Sequence, residues 1–556
     1  MNRRQFTQNF LVAAGALTLQ PLQRLAAQQN VPLPAPKRGE TESFVSGTIY
    51  GVRSGRKVVL PQVRVSNGRD VVLTDRLGRY RLPVASGDVV FLTKPRGFAL
   101  PLNADNLPQF YRIHQPEGSP KATYPGIAPT GVLPTSLDWT LQEQAESDEF
   151  RVLLFGDPQS RNQEEIGFLT RDIIADVAGQ KAAFGVSLGD QAFDDLTIYP
   201  NQNRAIAALG LPWFNVKGNH DMDYDAPDRT HAGETFKATF GPLYHSFDYG
   251  AAHFVILDNV AYEGKTNALA ENGRPDTKTL DGKRRGAYHA ELGAKQLQWL
   301  ENDLKTVPRD QLVVFLMHIP LVNLEAINEE GRRANVRDLP AFFRLIEDRP
   351  NCLSISAHTH FQRHVFLGRE VGFNGAKPHH HFNSVTTCGS WWTGMPDEQG
   401  IPHTTMRDGA PNGYSFLNIK GNTYSIDFKA ARREAGYQMN IYAPDEVARG
   451  EAAKTEILVN VFASSPKSKV EMQVGNGPWS AMQLTTRPDP AYVAAKTAQE
   501  AIPKNGARKL PEIIDSPHLW AANLPANLPT GAHMIQVRTT DMWGKTHQDR
   551  RILRVA

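Results

Sequence analysis

The chain has almost no cysteine: Cys352 and Cys388 are the two in 556 residues. Two are too few for a disulfide framework, so stability has to come from buried apolar surface. Buried free thiols are the expectation, or a single bridge where geometry allows one. Long apolar runs are also missing. The longest such stretch, Phe10 to Leu19, is too short to span a bilayer as a permanent helix. Neither sign of charge dominates, with 61 Lys and Arg against 58 Asp and Glu. No basic block interleaves with aromatic residues, so composition makes no case for nucleic-acid binding. At 556 residues the chain should divide into several domains rather than grow one core.

What is present begins with the first 27 residues. Asn2-Arg3-Arg4-Gln5-Phe6 precedes the apolar stretch, and Leu25-Ala26-Ala27 follows it. This resembles a twin-arginine export signal with cleavage after Ala27, which implies the twin-arginine translocase as a partner and a periplasmic or secreted mature protein. The alternative, an ordinary secretory signal with accidental paired arginines, gives the same destination. Residues 28–42, rich in Pro and Gln, are expected as a linker. From 43 to 120, short alternating runs such as Phe44 to Gly51 and Val72 to Leu82 are punctuated by turns, which predicts a small β-sandwich. Helical patterns at Glu164 to Ala178, Ala294 to Lys305 and Arg337 to Glu347 belong to a central domain, 149–420. Within it, a polar stretch from Ala261 to Arg285 is expected as a surface insertion that helps select substrate. After Lys420 the short strands return (Thr423 to Phe428, Thr455 to Phe462, Lys469 to Val474, His533 to Val537), predicting a second β-sandwich over 421–556. That sandwich would lean over the rim of the central site or bind a surface glycan.

The central domain carries the chemistry. Five apolar runs each end on a polar cluster: Val152 to Phe155 into Gly156-Asp157-Pro158-Gln159, and Val186 to Leu188 into Gly189-Asp190. The others are Trp213 to Val216 into Gly218-Asn219-His220-Asp221, Leu312 to Leu316 into His318, and Cys352 to Ile355 into His358-Thr359-His360. Runs of this length separated by helical segments are expected as buried strands of an α/β fold. Ligands in open α/β sheets sit at the carboxyl ends of strands, so the five clusters point to one site.

Asp157, Gln159, Asp190, Asn219, His318, His358 and His360 make up two carboxylates, two amide oxygens and three imidazoles. That set is too large for one tetrahedral zinc and lacks the cysteines of structural zinc sites. It suits two divalent ions about 3.5–4 Å apart that share a carboxylate and clamp an in-line displacement. The electropositive open face would attract a phosphate, and a water-derived hydroxide between the ions would be available near neutral pH.

The ordered series Asp-x-Gln, Gly-Asp, Gly-Asn-His-Asp, His and His-Thr-His resembles the calcineurin-like metallophosphoesterase superfamily. The resemblance implies an αββα sandwich core, here flanked by N- and C-terminal β-sandwiches, and a metal-dependent phosphoesterase using two Mn, Fe or Zn ions. It implies Asp190 as the bridging ligand, with Asp157, Gln159 and His360 completing one metal site and Asn219, His318 and His358 the other. It also implies Asn219 and His220 on the substrate phosphate, with His220 protonating the leaving oxygen. An aspartate orienting that histidine usually lies three residues after the bridging one, where this chain has Phe193; Asp194 or Asp195 is expected instead. Gln159 replaces a frequent histidine, and its harder oxygen leans toward manganese or iron. Ala357 stands where glycine is usual, so the turn before His358 has to accept a Cβ. Thr74-Asp75 with Gly78 and Tyr80 resembles the carboxypeptidase-regulatory-like domains that precede such enzymes, and the segment around Asp408-Gly409 resembles the end of a catalytic domain in a multidomain bacterial branch.

Taken singly, these residues have plainer readings. Asp157 is a plausible helix N-cap and His318 a satisfied core histidine. His379-His380-His381 is expected to split between two faces of a strand rather than bind metal, and His231, His245, His253 and His364 are assigned to structure. Trp391-Trp392 fits either a wall for a leaving group or the core. The overall expectation is an exported dinuclear hydrolase of phosphomonoesters or phosphodiesters. A nuclease or nucleotidase of the same superfamily, and a non-catalytic surface-binding protein with a degraded core, are the two alternatives.

Overall fold

In the computed structural model the described residues are 43–264, 288–325, 333–502 and 506–556. The expected export signal and linker lie outside them, and the polar stretch expected from Ala261 is described only as far as residue 264. Its base is a two-stranded antiparallel pair, Val260–Tyr262 with Tyr288–Ala290.

All five expected apolar runs form strands, and they divide between two sheets. Glu149–Phe155, Phe184–Ser187 and Trp213–Asn215 are parallel neighbours in one sheet, extended on its other side by the antiparallel Gly413–Lys420 and Thr423–Ala430. Leu312–Leu316 and Cys352–Ser356 are the central strands of a six-stranded sheet, between Ala252–Ile256 and His379–Asn383. Period-two alternation sorts the side chains. Leu153 and Phe155 pack with Ile166, Leu169 and Ile173 from the helical segment over 163–177. Val152 and Leu154 point the other way, toward the second sheet, where Phe184 meets Phe254 edge to face at 5.1 Å. On the far face of the second sheet, Phe315 packs on Phe342 of the helix Leu339–Ile346. The result is an αββα sandwich.

A β-rich region flanks each side. In the first, Ser43–Arg53 pairs with Arg56–Val59 and Arg79–Val84, and a second sheet is built on Arg64–Ser66 and Val89–Leu92. This region runs past the expected end at residue 120: Trp139–Glu143, beyond a Pro-rich stretch, pairs in parallel with its first strand. At the other end, the strand after Lys420 belongs to the central sheet. Gly421 takes φ +59°, and the turn it permits folds Thr423–Ala430 back onto Gly413–Lys420. The final sandwich therefore begins with Met439–Tyr442, and it includes an α-helix, Pro490–Glu500, capped by Asp489.

Candidate metal centre

Most of the candidate side chains leave the loops after strand ends on strained backbone. Asp157, Gln159, Asp190, Asp194, His358 and His360 all have φ between +39° and +72°. Such conformations cost on the order of 1–3 kcal/mol each for non-glycine residues and persist where surrounding contacts over-determine them. Ala357 has no such φ; the strain falls on the histidines that follow it. Two glycines are required by close approach. A Cβ on Gly218 would lie 2.1 Å from Asp190 Oδ1, and one on Gly189 2.3 Å from His318 Nδ1.

These loops bring all seven expected donors together. Asp190 Oδ1 accepts the His220 backbone N–H at 2.8 Å, and Oδ2 accepts from Gln159 Nε2 at 3.1 Å and lies 3.3 Å from His318 Nε2. His318 Nε2 is also 3.0 Å from Asn219 Oδ1 and 3.2 Å from His358 Nδ1. Asp157 accepts the His358 backbone N–H at 3.0 Å and lies 3.9 Å from His318 and 4.0 Å from His360. The far nitrogens of two imidazoles are spoken for: His318 Nδ1 donates to Leu188 O at 2.9 Å and His360 Nδ1 to Gly389 O at 2.5 Å. Those bonds leave each Nε2 lone pair facing the cluster, as a metal ligand requires.

The electrostatics also call for positive charge here. Burial pushes the Asp157 carboxyl up to about 7, and the neighbouring Asp190 charge adds to it. Burial works against the charged form of Asp190 too, but His318 and His220 overcome it and hold that carboxyl below the ordinary range. Burial alone would lower His318; Asp190 and Asp157 reverse this and raise it to about 9. Burial takes His358 and His360 down to about 3, keeping both neutral. Asp190, His318 and His358 place ligand atoms within 4.8 Å of one another. Two buried carboxylates, the neutral His358 and His360 imidazoles and the Asn219 amide oxygen fit divalent cations, and His318 would release its proton on binding one.

His220 lies beside this group. Its Nδ1 meets Asp194 Oδ1 at 2.7 Å, whereas Asp195 instead caps the short turn after it through the Thr197 N–H. Burial lowers the His220 imidazole. Asp221, quoted above only as part of a motif, anchors the loop: it accepts from Gln191 N, Gly218 N and Tyr199 Oη at 2.8–3.0 Å. Sequence reasoning missed this role, although the short spacing from His220 was available as a signal.

Three aromatic rings line the imidazoles. Phe193 stacks on His220 at 4.3 Å, Trp391 on His360 at 3.9 Å, and Tyr288 meets His358 edge-on at 6.4 Å. Trp392 is instead fully buried against Phe168, so the tryptophan pair is divided between site and core. His379 and His381 share Ser354 as a partner at 2.7 Å, while His380 faces Tyr424 and His364 on the opposite side. Cys352 and Cys388 are free, with Cys388 Sγ 3.9 Å from Gln159 Oε1.

Three family models match the chain in order. "N terminal of Calcineurin-like phosphoesterase" matches residues 47–124, "Calcineurin-like phosphoesterase" residues 150–362, and "C terminal of Calcineurin-like phosphoesterase" residues 381–547. Among solved structures, PhoD is 13% identical with a TM-score of 0.35, covering 71% of this chain and 88% of its own. The purple acid phosphatase PPD1 from yellow lupin (Lupinus luteus) seeds is 14% identical with a TM-score of 0.35, covering 70% and 66%. No curated protein matches the chain.

Proposed function

Since the chain belongs to the calcineurin-like phosphoesterase family and is a metal-dependent phosphoester hydrolase, we propose that its seven converging side chains hold two divalent cations and that His220 serves as the acid for the leaving oxygen. The observation that carries this reading is the contact network itself, in which Asp157, Gln159, Asp190, Asn219, His318, His358 and His360 join through separations of 4.0 Å or less. Divalent cations bound there supply a nucleophile from water near neutral pH and neutralise charge developing on the phosphate.

The chain's own groups do the rest. Asp190 faces both halves of the donor set and is held by the His220 and Gln159 N–H groups. Asn219 presents its Oδ1 to the His318 side of the centre, next to where a phosphate oxygen would lie. His220 Nδ1 is engaged by Asp194, which fixes the ring plane; when the ring carries its second proton, Nε2 is the atom that gives it to the departing alcohol, leaving the neutral imidazole bonded to Asp194. Manganese or iron suits the two amide oxygens better than zinc. We further assign the protein to the periplasm or the extracellular space through its twin-arginine-like start, Asn2 to Phe6.

The test is a panel of phosphomonoesters, phosphodiesters and lipid head-group esters with manganese, iron or zinc restored. Metal-dependent release of alcohol from at least one class is expected. Metal binding without hydrolysis of any member would favour the surface-binding alternative, and turnover confined to nucleotides or polynucleotides the nuclease or nucleotidase.

A further inference from the structure

Two of the aromatic rings against the imidazoles are tied to one guanidinium. Arg161 Cζ lies 4.3 Å from the centre of the Phe193 ring, and His220 lies 4.3 Å from the same centre. Phe193 is therefore in contact with both the guanidinium and the imidazole. The same guanidinium donates from Nη1 to Trp391 O at 2.7 Å, and Trp391 stacks on His360. Trp391 and Trp392 have successive φ values of +59° and +50°, a backbone that needs an external hold.

Arg161 is itself held. Its Nη1 meets Glu165 Oε1 at 3.1 Å and its backbone N–H donates to Glu165 Oε2 at 2.8 Å. Glu165 is almost fully buried and also binds Arg508, from the C-terminal region. The Arg508 carbonyl accepts the Gly394 N–H at 2.9 Å, three residues beyond Trp391. Arg508 thus touches both ends of the arrangement, the carboxylate that aims Arg161 and the loop that carries Trp391.

We propose that Arg161 is a positioning residue that presses Phe193 against His220 and Trp391 against His360, and that the C-terminal region sets it through Arg508 and Glu165. The inference rests on the hydrolase reading for the His220 arm; the His360 arm stands on metal binding alone. One guanidinium then couples the acid and one side of the metal centre to a separate part of the chain. The planar fork of arginine suits this, since one nitrogen serves both oxygen acceptors while the flat face lies on a ring.

The test uses the full chain with manganese restored and two readouts: manganese affinity by calorimetry, and the ratio of kcat for an alkyl phosphate ester to kcat for the matching 4-nitrophenyl ester. Phe193→Leu should lower the alkyl-to-aryl ratio about tenfold and leave manganese affinity within twofold. Trp391→Leu should weaken manganese about fivefold and leave the ratio in place. Arg161→Met should produce both changes, Arg161→Lys a partial recovery of each, and Arg508→Gln both at about two- to threefold. Arg161→Met with both readouts at wild-type values would overturn the proposal. So would a raised KM with unchanged kcat, which would make Arg161 a substrate-binding group. Wild-type values for Arg508→Gln would remove the C-terminal half. If the wild-type protein hydrolyses no ester, the proposed function fails on that result, while the manganese titration still decides the Trp391 arm.

Discussion

Asp190 is where most of the site's contacts meet, receiving the His220 backbone, the Gln159 amide and the His318 ring. Asn at this position keeps the size and loses the charge. Asp190→Asn is expected to cut turnover of an aryl phosphate ester by about two orders of magnitude or more and to lower bound manganese measured by elemental analysis; full activity with full metal would remove Asp190 from the centre. His220 asks for a different comparison, because an acid matters most when the departing alcohol is a poor leaving group. His220→Ala and Asp194→Asn should both slow alkyl esters more than nitrophenyl esters, and equal slowing would argue against proton donation. At this scale the ligand residues were legible because each ends an apolar run. The choice of Asp194 over Asp195 was not, since neighbouring residues differ only in where their backbone aims them: Asp194 takes φ +69° and reaches His220, while Asp195 is spent on a cap.

At the scale of elements, strand ends and the loops after them fix the donors. Gly218→Ala would drive a Cβ into Asp190 Oδ1. Activity should fall at least about tenfold while far-UV circular dichroism stays native, because the displaced atoms belong to the site and to no strand. A second element-level feature joins the first β-rich region to the six-stranded sheet. Arg64 binds Asp248 at 2.9 Å; Asp248 and Asp303 take the two nitrogens of buried His253 at 2.6 and 2.8 Å. Burial opposes charge on His253, but the two carboxylates raise it to about 9. Because the folded value exceeds the unfolded one near 6.5, the stabilisation is fully present below about 6.5 and is lost as pH rises through about 9. The wild-type Tm should therefore fall between pH 7 and 10, and His253→Gln should flatten that fall while lowering the Tm at pH 7. An unchanged slope in the variant would show that His253 is not the group responsible.

For the whole molecule, the centre joins loops from two sheets, so occupancy should bear on the stability of the entire described unit. A cation that binds only the folded chain stabilises it by about 2.7 kcal/mol at a hundredfold excess over Kd. Chelation should lower the Tm by several degrees and manganese should restore it; no shift in either direction would count against a cation at this place. The C-terminal sandwich reaches the same loops by a second route. His518 binds Asp408 at 2.9 Å, and Asp408 accepts the backbone N–H of Gln362, two residues past His360, at 2.8 Å.

The sequence by itself determined which candidate donors follow apolar runs and their order along the chain, because each of five runs that must be buried stops at polar residues, and strand ends are where an α/β fold presents such residues. It also determined the alternation that splits His379 and His381 from His380, since that follows from strand geometry alone. Only the tertiary structure decided that the runs divide between two sheets, that Thr423–Ala430 closes the central sheet, and that Arg161, Phe193, Trp391 and Arg508 meet around the imidazoles. Arg508 and the Glu165 carboxylate it binds lie 343 positions apart, and no local periodicity encodes a contact set by how separate layers pack.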